Sequence, residues 1–90
     1  MSFEWDEDKA RVNVEKHGIS FEETQTVFDD PLYVDFHDPE HSYEEHRYII
    51  LGESRLGRLL LVSYTQRGDV IRLISSREAT PAERRDYEED

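Results

Sequence analysis

The sequence predicts an α+β fold: a short N-terminal strand, two helices, an antiparallel meander of about four strands and a C-terminal helix. Three observations carry that reading. Helix caps and stops crowd residues 6–31. Aliphatic and aromatic runs broken by turn residues fill 46–76. Thr80-Pro81-Ala82-Glu83 then opens a last helix, with a Thr cap, Pro at the first helical position and Glu at the third. Ninety residues suit one domain, 1–90, and a chain of this size leaves a thin core.

Each element has its own local cause. Residues 3–5 form a short extended start. Asp6 suits an N-cap, Glu7 and Asp8 favour the first turn, and Gly18 supplies a stop, so a helix is expected over about 7–17. Ala10, Asn13, Val14 and His17 share its inward face. Ser20 and Glu23 form a capping box, each side chain satisfying the other's backbone N–H. Phe21, Val27 and Phe28 make the apolar stripe of that second helix, which Asp29-Asp30-Pro31 ends. Residues 31–36 read as a strand, and 37–44 as a polar loop with a turn at Asp38-Pro39. Strands follow at about 46–52, 57–65 and 70–76. The nearly unbroken apolar run at 59–62 places the second of them centrally, covered on both faces. Gly68 permits a tight hairpin at 66–69. In the last strand Val70, Arg72 and Ile74 share one face, and Ile71, Leu73, Ser75 and Arg77 the other. The terminal helix, about 81–88, has only Ala82 and Tyr87 to anchor it.

Composition narrows the function classes. The absence of cysteine removes disulfide scaffolds and thiol chemistry and fits a reducing cytoplasm. No apolar run reaches the ~18 residues of a membrane span, and the acidic opening is unlike a signal peptide. The formal charge of −11 argues by itself against nucleic-acid binding. Its distribution says more. Residues 1–45 hold 14 acids and 3 bases, residues 46–79 hold 6 arginines and 3 acids, and residues 80–90 hold 5 acids and 2 bases. A basic sheet face inside an acidic shell would hold a phosphate or an acidic partner; the plainer reading is solubilising arginines at strand edges.

Arg47, Arg55, Arg58, Arg67, Arg72 and Arg77 all fall on or beside the strands. A guanidinium matches phosphate bidentately. Arg72, in the middle of an apolar strand, needs an internal acid or an anionic ligand. His46 and Tyr64 are candidate acid or base groups, whereas His17 suits a cap or packing role. His37, Asp38, Glu40, His41 and Glu44 would offer metal ligands, but Pro39 breaks any helix that would align them. Serine-nucleophile, P-loop, dinucleotide and H-E-x-x-H motifs are absent.

Several segments together resemble the BrnT toxin family. They are F-E-W-D-x-x-K (3–9), N-x-x-K-H-G-I-S-F-E-E (13–23), V-F-D-D-P (27–31), D-P-x-H (38–41), R-x-x-x-L-G (47–52), G-R-L-L-x-V (57–62), R-G-D-x-I-R-x-I-S-x-R (67–77) and A-T-x-x-E-R-x-x-Y-E (79–88). The resemblance implies a RelE-like fold and a metal-independent ribonuclease that arrests translation, without a cofactor. It also implies a partner, a BrnA-type antitoxin with a ribbon-helix-helix part. Operator DNA would be reached only through that antitoxin, the pair repressing its own operon. Carried over by position, Arg72 and Arg77 are the first candidates for phosphate contact, Arg47 and Arg67 the second. In such a ribonuclease a polar side chain, Glu45, His46 or Tyr64, would take the 2′-hydroxyl proton, and the residues alone do not choose among them. Two other functions compete: a non-catalytic module whose basic face captures an acidic partner, and a metal-dependent hydrolase built on the 37–44 loop.

Overall fold

A computed structural model describes residues 1–37 and 47–89. It contains β1 (Ser2–Trp5), α1 (Glu7–His17), α2 (Phe21–Thr24) running into a 3-10 helix (Gln25–Asp29), β2 (Val34–His37), β3 (Arg47–Glu53), β4 (Leu59–Arg67), β5 (Val70–Glu78) and α3 (Pro81–Glu89). The expected α+β order is present. The turn expected at Asp38-Pro39 lies outside the described residues.

The five strands form one sheet in the order β1-β5-β4-β3-β2. β2 to β5 are the antiparallel meander, and β1 adds to β5 in parallel, Phe3 opposite Ile71 and Trp5 opposite Leu73. β4 is central, as its apolar run requires. One face carries Tyr48, Ile50, Leu60, Val62, Tyr64, Ile71 and Leu73, together with Phe3 and Trp5, and packs on Ile19, Phe21, Val27 and Phe28. Edge-to-face rings knit this core: Trp5 on Phe21 at 5.9 Å, and Phe28 between Phe3 at 5.2 Å and Tyr64 at 5.0 Å. Gly52 is where the 3-10 helix meets β3; a Cβ there would stand 2.9 Å from Val27 Cγ1.

The ends of α1 fall as read. Asp6 Oδ1 accepts from the N–H groups of Asp8 (2.8 Å) and Lys9 (3.2 Å), and Gly18 closes the helix at φ 70°. Its inward face differs from the expected one. Val14 is 48% exposed and His17 is exposed as well, so the docking side is Ala10 and Asn13. Asn13 is buried because its amide is fully used. Nδ2 donates to Ile19 O and Ser76 O, both at 2.9 Å, and Oδ1 accepts from Ser76 N at 3.0 Å. Of the four residues expected on that face, Ala10 and Asn13 dock, while Val14 and His17 turn outward.

The capping box at Ser20 is half formed. Ser20 Oγ accepts from Glu23 N at 3.0 Å, but the Glu23 carboxylate turns inward. It accepts from Ser54 Oγ at 2.6 Å and from both Nε and Nη2 of Arg58. A guanidinium fork outbids one backbone N–H for a buried carboxylate, since charge-assisted bonds are about twice as strong as neutral ones. The hydrogen bonds from Arg58 hold the Glu23 carboxyl below the usual carboxylate range despite burial. The box at Thr80 is complete: Glu83 N donates to Thr80 Oγ1 at 3.2 Å, and Thr80 N donates to Glu83 Oε1 at 2.9 Å.

Strict alternation fails in β5. Ser63 pairs with Ser75 but Tyr64 pairs with Leu73, so Ile74 is an extra residue in the ladder. This bulge reverses the phase beyond it. Ser76, not Ser75, faces the core and is buried, and Arg77 lies on the same face as Arg72 rather than opposite. α3 docks on that second face. Arg77 Nη1 and Nη2 reach the two carboxylate oxygens of Glu83, each at 2.9 Å, and Tyr87 Oη donates to Asp30 Oδ2 at 2.7 Å. Ala82, an expected anchor, is exposed. Leu51 and Leu59 point to the α3 side and are buried there, at 1% and 3% exposure.

Asn13→Ala strands three buried backbone groups, each costing roughly 1–3 kcal/mol. It is expected to lower the unfolding free energy by about 3 kcal/mol or more, read from urea midpoints; a loss below about 1 kcal/mol contradicts the role given to Asn13. Stability should also fall in acid. The carboxyls of Glu23 and Glu83, held down chiefly by Arg58 and Arg77, and of Asp30, held down by its hydrogen bonds against burial, all have folded values below their unfolded ones. Their contribution is complete above the ordinary carboxylate range of about 4–4.5 and is lost as the pH drops through the lowered values. A denaturant midpoint unchanged between pH 7 and pH 3 would rule this out.

Candidate nucleic-acid interface

α3 covers one end of the second face and leaves the other end open. There the register aligns Glu4, Arg72, Thr65 and Arg47 in one row across β1, β5, β4 and β3. Arg67 and Val70 form the next pair toward the hairpin, where Gly68 takes φ 57°. The first turn of α1 brings Lys9 to the same place. Glu4, Lys9, Thr65, Arg67, Val70, Arg72 and Ile74 line a cleft of about 410 Å³. Three cations and one carboxylate therefore surround a floor made partly of Val70 and Ile74. A second groove of about 330 Å³ shares Lys9 and Ile74 and continues past Lys16 and His17. His17 thus lines a surface groove at the end of α1.

Arg72 Nη1 donates to Glu4 Oε2 at 2.7 Å. The side chains are 47% and 52% exposed, and an ion pair that wet contributes about 0–1 kcal/mol. It therefore leaves Arg72 accessible to a ligand anion at little cost. Arg77 is different. Its guanidinium is engaged by Glu83 and the carbonyl of Glu78, and the Glu83 hydrogen bonds raise its already high pKa. It sits on the right face but is committed to holding α3.

The other sequence candidates divide. Arg47 and Arg67 lie on the open face with Arg72. Arg58 belongs to the Glu23 cluster, and Arg55 lies in the β3–β4 turn, its N–H donating to Thr26 Oγ1 at 2.9 Å, so neither contributes to the face. Tyr64 is on the opposite, core face, 5% exposed and stacked edge-on with Phe28. Burial, ahead of nearby Asp35 and tyrosines, pushes its phenol up to about 12, which does not suit a base beside the arginines. Glu45 and His46 lie outside the described residues, as do Asp38, Glu40, His41 and Glu44; His37 ends β2. Among the described residues no three His, Asp or Glu side chains gather as a metal site would need. Lys9 and Glu4 were missed because nothing in the local sequence tells that the α1 start and β1 flank the middle of β5.

A small α+β protein whose sheet is backed by α1, α2 and the 3-10 helix on one face, with an arginine-lined cleft at the end of the other face that α3 leaves open, has the chemistry of an anion-binding surface. The family model for the ribonuclease toxin BrnT of type II toxin–antitoxin systems matches residues 5–83. The chain belongs to that family, as its motifs led us to expect. Its fold is similar to that in the 1.1 Å crystal structure of the Brucella abortus ribonuclease toxin, BrnT, with a TM-score of 0.65 and 24% identity over 89% of this chain and 97% of that one. No curated protein matches the sequence. No described helix is long and apolar enough to cross a membrane.

The two first-ranked arginines should part company on mutation. Arg72→Ala is expected to leave the unfolding free energy within about 1 kcal/mol of the parent. Arg77→Ala should release α3 and speed amide hydrogen exchange in residues 81–89. Equal exchange in α3 for both variants would show that Arg77 does not anchor it.

Proposed function

We propose that this chain is a metal-independent endoribonuclease acting in the cytoplasm, whose cleavage of RNA arrests translation. The observation that carries the reading is the row of Arg72, Thr65 and Arg47 beside Arg67 and Lys9 on an uncovered sheet face. Fixed guanidinium donors stabilise the charge that develops on phosphoryl oxygens during transfer to a 2′-oxygen. Arg72 and Arg67 are the principal phosphate contacts, and Arg47 extends the track. The acidic remainder of the surface repels free RNA at long range but is screened beyond about 8–10 Å in physiological salt. A substrate presented at short range, such as ribosome-bound message, suits this charge pattern.

A BrnA-type ribbon-helix-helix antitoxin would neutralise the toxin by covering the same cleft with an acidic segment, steered there by the basic face that the described residues form. The pair would repress its own operon, with DNA touched only through the antitoxin. The net charge of −11 favours a second reading, a binding module without catalysis. Expression without a partner separates the two. The enzyme reading expects growth arrest with RNA loss, cleavage by the purified chain in EDTA, and a drop of about 100-fold or more for Arg72→Ala. Harmless accumulation of folded protein, or cleavage abolished by EDTA and restored by zinc or manganese, contradicts it.

A further inference from the structure

The cleft contains one carboxylate among the described residues that line it, and it is not a residue the arginine pattern singles out. Glu4 sits on β1 directly across from Arg72, with Oε2 2.7 Å from Arg72 Nη1 and about half of its side chain open to solvent. Arg72 has five N–H donors, and Glu4 engages Nη1. The Nε–Nη2 edge remains for a phosphate, which a guanidinium grips with two parallel bonds. A phosphodiester on that edge would lie beside the Glu4 carboxylate, with the 2′-hydroxyl next to that phosphorus within its reach. Lys9, Arg67 and Arg72, the other charged groups lining the cleft, are all cations and can only donate protons or charge.

We propose that Glu4 is the general base of the ribonuclease site, with Arg72 holding the phosphate against it; this rests on the ribonuclease reading above. Glu4 takes the 2′-hydroxyl proton as the 2′-oxygen bonds to phosphorus. The bond from phosphorus to the 5′-oxygen breaks, and its electron pair stays on that oxygen, which takes a proton from solvent. Glu4 then returns its own proton to solvent. The products are a 2′,3′-cyclic phosphate end and a 5′-hydroxyl end, with no redox change and no co-reactant. Before RNA arrives, the same carboxylate accepts from Arg72 Nη1, so base and clamp stand side by side.

The test compares wild type and Glu4→Gln on a short RNA oligonucleotide, and on its 2′-O-methyl counterpart as a non-cleavable binding probe. Glu4→Gln keeps the size of the side chain and removes the proton-accepting charge. Single-turnover cleavage is expected to fall by about 100-fold or more, while the probe binds as tightly as to wild type or tighter, because a competing negative charge has gone. Wild-type products should carry the cyclic phosphate. Cleavage by Glu4→Gln within about threefold of wild type overturns the assignment and leaves the ribonuclease reading standing. A fall in probe affinity matching the fall in rate also overturns it, since that marks Glu4 as structural. A folded wild type that cleaves no RNA overturns the ribonuclease reading itself, and this assignment with it.

Discussion

The amide of Asn13 does the work of a missing stretch of strand. β1 pairs with β5 only as far as Leu73; the chain then leaves the sheet at Asp6 and turns into α1. Ser76, beyond that point, would present an unpaired N–H and C=O on a parallel edge. Asn13 fills both, with the geometry of a peptide group, and uses its second N–H on Ile19 O. One side chain therefore seals the sheet edge, docks α1 and fixes the loop that delivers Ile19 and Phe21 into the core. The position of Lys9, one turn earlier on α1, follows from this contact, and so does the wall it gives the cleft.

The bulge at Ile74 works with that clamp. It lets Ile71, Leu73 and Ser76 all face inward while Arg72 and Arg77 both face outward. The two outward arginines then take separate tasks because of what stands beside them. Arg77 meets Glu83 in a partly buried, two-pronged pair, and with Tyr87 on Asp30 it settles α3 over Leu51 and Leu59. Arg72 meets Glu4 in half-open solvent, where the pair is weak and leaves the guanidinium accessible to an anion. The boundary between covered and open halves of this face is thus set by electrostatics as much as by apolar packing.

Much of this was legible in the residues. Asp6, Gly18, Ser20 and the Thr80-Pro81 start placed helix ends because capping is local chemistry, written in adjacent positions. The uninterrupted 59–62 run marked the central strand because burial on both faces removes alternation. The face of α1, the phase of β5 after Ile74 and the inward turn of Glu23 were not legible. Each depends on a partner 63, 11 or 35 positions away, namely Ser76 for Asn13, the β4 register of Ser63 and Tyr64 for Ile74, and Arg58 for Glu23. Of the site, the arginines were visible by type and the motif match, whereas Lys9 and Glu4 join them only through the parallel docking of β1.

The central claim is that the open end of the second sheet face is where RNA sits. Backbone amide NMR of the folded chain, titrated with a short 2′-O-methyl oligonucleotide at low and at physiological salt, tests it most directly. The account predicts shifts confined to residues 3–5, 9, 65–67 and 70–74, weakening as salt rises. Shifts centred on α2, the 3-10 helix and the β3–β4 turn, or none at either salt, would contradict it.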